Sequence, residues 1–212
     1  MIFSKRGWLI YSSHLDLMRL WERTLRRAGL PLAYSGGYNP RPKLQLARAL
    51  PLGHVGEREI ADYWLETPVS LNDLPELLGS VLPDGLAISE VRQIDEKAPP
   101  MQTLVVGTVY RIDVETTVGT HEIQARIEEA LSRNELIHER RGKRYNLRPL
   151  IEELGAVDVD LEAGRVELHM QLSARPGATG RPEAVLEALG MAGAFARYYR
   201  ERLVLTEIDA PG

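Results

Sequence analysis

The sequence contains no cysteine. That excludes disulfides and any zinc or iron–sulfur centre ligated by thiolates of this chain. It also fits a cytoplasmic protein. No apolar run approaches the roughly 18–20 residues that a membrane span requires, so no membrane partner is expected. The opening "MIFSKRGWLIYSS" has a short apolar patch but no signal-peptide core, so no secretion signal is expected. Catalytic signatures are equally scarce. There is no G-x-x-x-x-G-K-[ST] phosphate loop and no G-x-S-x-G nucleophile elbow. "GATG", Gly177 to Gly180, does not make a dinucleotide fingerprint. His54, His121, His138 and His169 show neither H-x-x-x-H nor H-E-x-x-H spacing, so no metal and no cofactor are expected in this chain.

Acidic residues are scarce in one region. Residues 1–56 carry nine cations (Lys5, Arg6, Arg19, Arg23, Arg26, Arg27, Arg41, Lys43, Arg48) against Asp16 and Glu22, a net +7. The whole chain is −4, so the remainder holds −11. A charge split of this kind predicts one basic face that can meet an anionic partner.

With 212 residues, 44% of them hydrophobic, the chain has material for two cores of about 100 residues each. In the first half, "GWLIYS" reads as a strand, Ser13 to Ala28 as a helix closed by Gly29, "PLAYS" as a short strand and "GGYNPRP" as a loop. "KLQLARAL" reads as extended, "REIADYWLE" as a strand, Ser70 to Leu82 as a helix and "LAISEVRQI" as a strand. "DEKAPPMQ" is the best linker. The second half reads as "LVVGTVYRIDVET" strand, Thr120 to Ser132 helix, "LIHERR" and "RVELHMQLSA" strands, "RPEAVLEAL" helix and "ARYYRERLVLTEI" strand. "YNLRPLIEELGAVDVDLE" adds a turn or short helix and a strand. The expectation is an α+β fold of two tandem ferredoxin-like (βαββαβ) halves with antiparallel sheets, residues 1–96 and 97–212.

The first helix separates its residues by face. Leu17, Met18, Trp21, Leu25 and Ala28 fall on one side, and Arg19, Arg23, Arg26 and Arg27 on the other. Ser13 and Asp16 form a capping-box start. The arginines form either a solvated face or an anion-binding surface. The company of Arg41 and Lys43 favours the second, since guanidinium forks match phosphate oxygens. In "YSGGYNPRPK", Gly36 and Gly37 permit a close backbone approach, Tyr34 and Tyr38 offer faces for base stacking, and Asn39, Arg41 and Lys43 offer polar contacts. His14, in the first helical turn, is either packed there or acts as a general base or phosphate donor, with Tyr11 and Lys43 as candidate neighbours. Arg175 and Arg181 are candidates for a second anion contact. The carboxylate-rich "IEELGAVDVDLEAGRVE" reads as solvated surface.

The "SHLD-x-x-R" helix start, the "R-A-G-L-P" exit and the "Y-S-x-G-[YF]-N-P-x-P" loop resemble the N-terminal signature of the radical-SAM-linked protein family, a bacterial domain of unknown function. "YNLRPLI" and "GRPEAVLEALG" are similar to its weaker C-terminal motifs. The resemblance implies a partner, a cobalamin-type radical SAM protein beside or fused to this domain, and no chemistry of its own. A chain without cysteine leaves the cluster to that partner. Tandem ferredoxin-like halves with a basic face also resemble CRISPR repeat-processing endoribonucleases, a likeness of fold only. The leading expectation is a non-catalytic RNA-binding accessory protein presenting RNA to a radical SAM modification enzyme. A metal-independent endoribonuclease using His14, and a module docking the radical SAM partner through its basic face, stand beside it.

Overall fold

The computed structural model describes residues 1–160 and 164–206. The chain divides into two compact units, Met1–Val105 with the segment from Leu205, and Val106–Val204. The α+β class with largely antiparallel sheet is what the chain adopts.

In the first unit β1 (Ile2–Lys5) leads through a 3-10 turn (Gly7–Tyr11) into α1 (His14–Arg27). β2 (Leu44–Leu46), β3 (Val55–Tyr63), α2 (Leu74–Gly79), β4 (Leu86–Glu90) and the short α3 (Met101–Leu104) follow. β1 lies between β3 and β4, antiparallel to both. β2 pairs with the other edge of β3: Ala61 N–H donates to Met1, whereas Ile60 carbonyl accepts from Ala47. The order is therefore β4-β1-β3-β2. The expected "GWLIYS" strand is instead the 3-10 turn. It begins at Gly7, held at φ 59°, and the strand precedes it. "PLAYS" forms only isolated bridges, Leu32 with Leu65 and Tyr34 with Pro42, because the following loop soon turns the chain back. The expected helix from Ser70 shortens to α2, with Asp73 at the cap position and Pro75 in its first turn.

α1 begins as its sequence dictates. Ser13 Oγ accepts from Asp16 N–H at 3.2 Å while Asp16 carboxylate accepts from Ser13 N–H at 3.3 Å, a reciprocal capping box. The helix ends at Ala28 and Gly29, the latter at φ 72°, a conformation that glycine adopts without strain. Leu17, Trp21 and Leu25 are buried on the sheet, and Trp21 meets Phe3 of β1 edge-on with ring centroids 4.9 Å apart. Leu9, Leu30, Leu32, Leu46, Ala61, Leu74, Leu78 and Leu86 join this core.

The second unit comprises β5 (Val105–Glu115), α4 (Thr120–Ser132), the hairpin β6 (Ile137–Arg140) and β7 (Lys143–Asn146), then β8 (Ile151–Asp160), β9 (Arg165–Arg175), β10 (Ala178–Thr179), α5 (Pro182–Ala188) and β11 (Ala196–Leu205). β9 pairs antiparallel with β5 on one side and with β8 on the other, and β11 borders β5. The β6–β7 turn places Arg141 at φ 50° and Gly142 at φ 75°, as a two-residue hairpin loop requires. The expected helix from Thr120 to Ser132 coincides with α4, and Pro182 opens α5. "YNLRPLI" runs from β7 through a 3-10 turn (Arg148–Leu150) into β8. Residues 161–163 of the carboxylate-rich stretch, and 207 and 208 of the last expected strand, lie outside the described residues. Ile112, Ile123, Ile127, Leu168, Met170 and Val185 centre a second core.

Trp21 is the largest side chain wholly removed from solvent. Trp21→Ala is expected to cost about 3–5 kcal/mol, the usual range for truncating a core aromatic. Urea denaturation checks this, and an unmoved midpoint would mean that Trp21 does not hold α1 on its sheet.

Candidate nucleic-acid interface

The loop between the bridges at Tyr34 and Pro42 is held at its neck. Ser35 N–H donates to Arg41 carbonyl at 2.8 Å, and Arg41 N–H donates back to Ser35 Oγ at 3.0 Å. Gly37, at φ 113°, allows the reversal within it. Beyond the neck, Lys43 N–H donates to Ala33 carbonyl at 2.8 Å, and the Trp64 backbone bonds to both strands, accepting from Ala33 and donating to Lys43. This ladder sets Arg41, Lys43 and Trp64 beside the start of α1.

They border a cleft of about 590 Å³. His14 and Met18 of α1 form one wall, and Ser35, Arg41 and Pro42 come from the loop. Lys43, Gln45 and Trp64 come from the ladder, and Gln102 comes from α3. Among the described residues no acidic side chain lines it. Gln102 reaches the cleft because Asp62, buried on β3, accepts from Met101 N–H at 2.7 Å and so anchors α3. Gln45 Nε2 donates to Gln102 Oε1 across the cleft. His14 Nδ1 is buried and has no hydrogen-bond partner among the described residues.

The basic residues separate into groups. Arg41 and Lys43 share the cleft with His14. Arg26 pairs with Glu22 at 3.0 Å and lies over the Tyr34 ring, 5.7 Å from its centroid. Arg19, Arg23 and Arg27 lie about 100°, 140° and 180° round the helix from Met18, so they turn progressively away from the cleft. Arg19 stands 3.9 Å from Asp16, whereas Arg23, Arg27, Arg41 and Lys43 have no carboxylate within ion-pair distance among the described residues. Tyr38 projects from the loop tip at 99% exposure, and Asn39 beside it is exposed. Tyr11 is exposed and is not part of the cleft lining, so the Tyr11–His14–Lys43 set considered from the sequence is not assembled there.

Trp64, Gln45 and Gln102 were not singled out by sequence. For Gln45 a signal existed: it lies two residues beyond Lys43 in an alternating segment, where side chains share a face. For Gln102 there was none, because Asp62, far away in the chain, ties it back. Away from this region, Arg175 pairs with Glu152 at 2.7 Å and is not a free anion contact. Glu152 also accepts from Gln171, so part of the carboxylate-rich stretch is engaged in pairing. Among the described residues there is no cluster of three or more His, Asp or Glu able to hold a metal, and no helix long and apolar enough to cross a membrane.

Fold and cleft together define an α+β protein with an acid-free, cation-bearing recess at the start of its first helix. The chain belongs to the family described as "uncharacterized protein conserved in bacteria (DUF2344)", whose pattern matches residues 1–182. No curated protein matches it by sequence. In fold it is similar to a chain from the crystal structure of a Cbf5-Nop10-Gar1 complex, with TM-score 0.53, 11% identity, and 95% of this chain and 48% of that one covered. A chain from the structure of an H/ACA RNP bound to a substrate RNA containing 2'-deoxyuridine aligns with TM-score 0.50 and 10% identity, over 95% and 47%. The chain thus spans about half the length of these neighbours.

The capping box governs how His14 enters the cleft. Hydrogen bonds from Ser13 hold the Asp16 carboxyl below its ordinary 3.8. A carboxylate depressed in this way contributes fully to stability above its ordinary value, and the contribution fades as pH falls through the folded value. Ser13→Ala removes the larger, side-chain hydrogen bond and keeps the backbone one, so it is expected to move Asp16 part of the way back toward 3.8 and to reduce this acid-side dependence. An NMR titration of Asp16 reads it, and an unchanged titration would show that the box does not set the carboxyl's charge.

Proposed function

We propose that this protein binds RNA through the basic start of its first unit and presents it to a partner enzyme. The observation that carries the reading is the set of Arg23, Arg27, Arg41 and Lys43. None has a described carboxylate within ion-pair distance, and two of them border a recess without acidic lining. Cations not already paired are available to displace counterions from a phosphate backbone. The Arg26–Tyr34 contact and the exposed Tyr38 add aromatic surface for unstacked bases. Arg19 and Asn39 complete the contact set. The strand order β4-β1-β3-β2 in the first unit and β11-β5-β9-β8 in the second supports reading both as ferredoxin-like, and one fold neighbour was solved bound to a substrate RNA. The motif resemblance points to the partner, a radical SAM protein supplying its own cluster.

A second reading has one observation behind it: His14 and Lys43 border the same cleft, so acid–base cleavage of RNA without metal has a candidate pair. Incubating RNA with pure protein in EDTA separates the two. Cleavage abolished in His14→Ala would mean an endoribonuclease, and intact RNA would leave the presenting role.

Fluorescence anisotropy across a salt series tests the binding. Wild type is expected to show a steep negative slope of log affinity against log salt. The Arg23→Glu/Arg27→Glu variant is expected to bind more weakly at every salt concentration, with a slope shallower by about one for each phosphate no longer engaged. Equal affinity and slope would remove the outer face of α1 from the interface.

A further inference from the structure

The cleft has more chemistry than backbone binding uses. A phosphate needs cations, yet the uncharged Gln45, Gln102 and Trp64 line the same recess. We propose that the cleft is a nucleotide pocket that takes one unstacked residue, its phosphate on Arg41 and Lys43 and its base between Trp64 and the Gln45–Gln102 amides. This deepens the RNA-binding reading and rests on it for the source of the nucleotide.

Four observations converge. The volume, about 590 Å³, lies within the usual size of small-ligand pockets. Arg41 and Lys43 reach it without a described carboxylate partner, and among the described residues no acidic side chain lines it to repel an anion. Gln45 and Gln102 are bonded to each other across it. A primary amide presents a donor beside an acceptor, the pattern that nucleobase edges carry in complement. Two amides bonded to one another can exchange that bond for a base edge while leaving neither unpaired. Trp64 supplies an aromatic wall suited to a base's π face.

The geometry also accounts for α3. A helix of four residues contributes little core, yet the buried Asp62 carboxylate holds its first N–H. The consequence is the placement of Gln102.

Calorimetry on the full chain tests the pocket with three kinds of ligand: the four 5′-mononucleotides, inorganic phosphate, and single-stranded RNA with or without one central abasic site. At least one mononucleotide is expected to bind one-to-one and more than tenfold tighter than phosphate. Arg41→Ala/Lys43→Ala is expected to abolish that binding. Gln102→Ala removes an exposed side chain from a short helix, so the fold is retained. It is expected to weaken the preferred mononucleotide about tenfold and to flatten the preference among bases, leaving phosphate binding unchanged.

Mononucleotide capture without RNA binding would uphold the pocket and assign it to free nucleotides, while overturning RNA presentation. RNA binding that ignores both the abasic site and Gln102→Ala would overturn the pocket and leave RNA presentation standing. Phosphate binding as tight as any mononucleotide would likewise overturn it, reducing the cleft to an anion site.

Discussion

The burial of Trp21 against Phe3 determines how α1 lies on its sheet, and the basic surface depends on that orientation. With Leu17, Trp21 and Leu25 turned to the core, the rotation of the helix about its own axis is set. His14 and Met18 then face the loop after Tyr34, and Arg19, Arg23 and Arg27 turn outward. The capping box at Ser13 and Asp16 fixes where the helix starts, and hence where His14 sits. A single apolar anchor therefore positions one edge of a cleft and one charged face.

Charge availability matters more here than charge count. The excess of cations in residues 1–56 does not make each of them equally able to meet a phosphate. Arg26 is shared between Glu22 and Tyr34, and Arg19 has Asp16 nearby. In the second unit Arg111 lies near Asp113, Glu167 and Glu201 and over Tyr199, so it is held within its own sheet. Arg23, Arg27, Arg41 and Lys43, by contrast, stand on α1 and the adjoining loop with no described carboxylate within ion-pair distance, although Asp16 still acts on Arg23 at longer range. These four, more than the net +7, are what a phosphate backbone would meet.

Much of this was legible in the residues. The stripe on α1, the stop at Gly29, the closed loop of "YSGGYNPRP", the helix from Thr120 and the proline opening α5 all follow from local chemistry acting within a few residues. The failures have a common cause. "GWLIYS" has strand-like residues, but Gly7 at positive φ and tertiary packing turn it into a 3-10 helix, with Trp8 and Tyr11 exposed. "DEKAPPMQ" reads as a linker by composition, yet its last residue, Gln102, lines the cleft through the hydrogen bond from Met101 to Asp62.

Residue order alone sufficed for the first helix and its two faces, the sign of its surface, the lack of thiol chemistry and the family motifs. These depend on periodicity, capping and composition, which act between near neighbours. The meeting of Gln45, Trp64 and Gln102 with His14, Arg41 and Lys43 came from the folded chain, because strand register and a buried carboxylate bring together residues that lie far apart in sequence. The fold also settled which arginines of α1 have a described carboxylate within ion-pair distance, since an ion pair depends on distances that no linear spacing specifies.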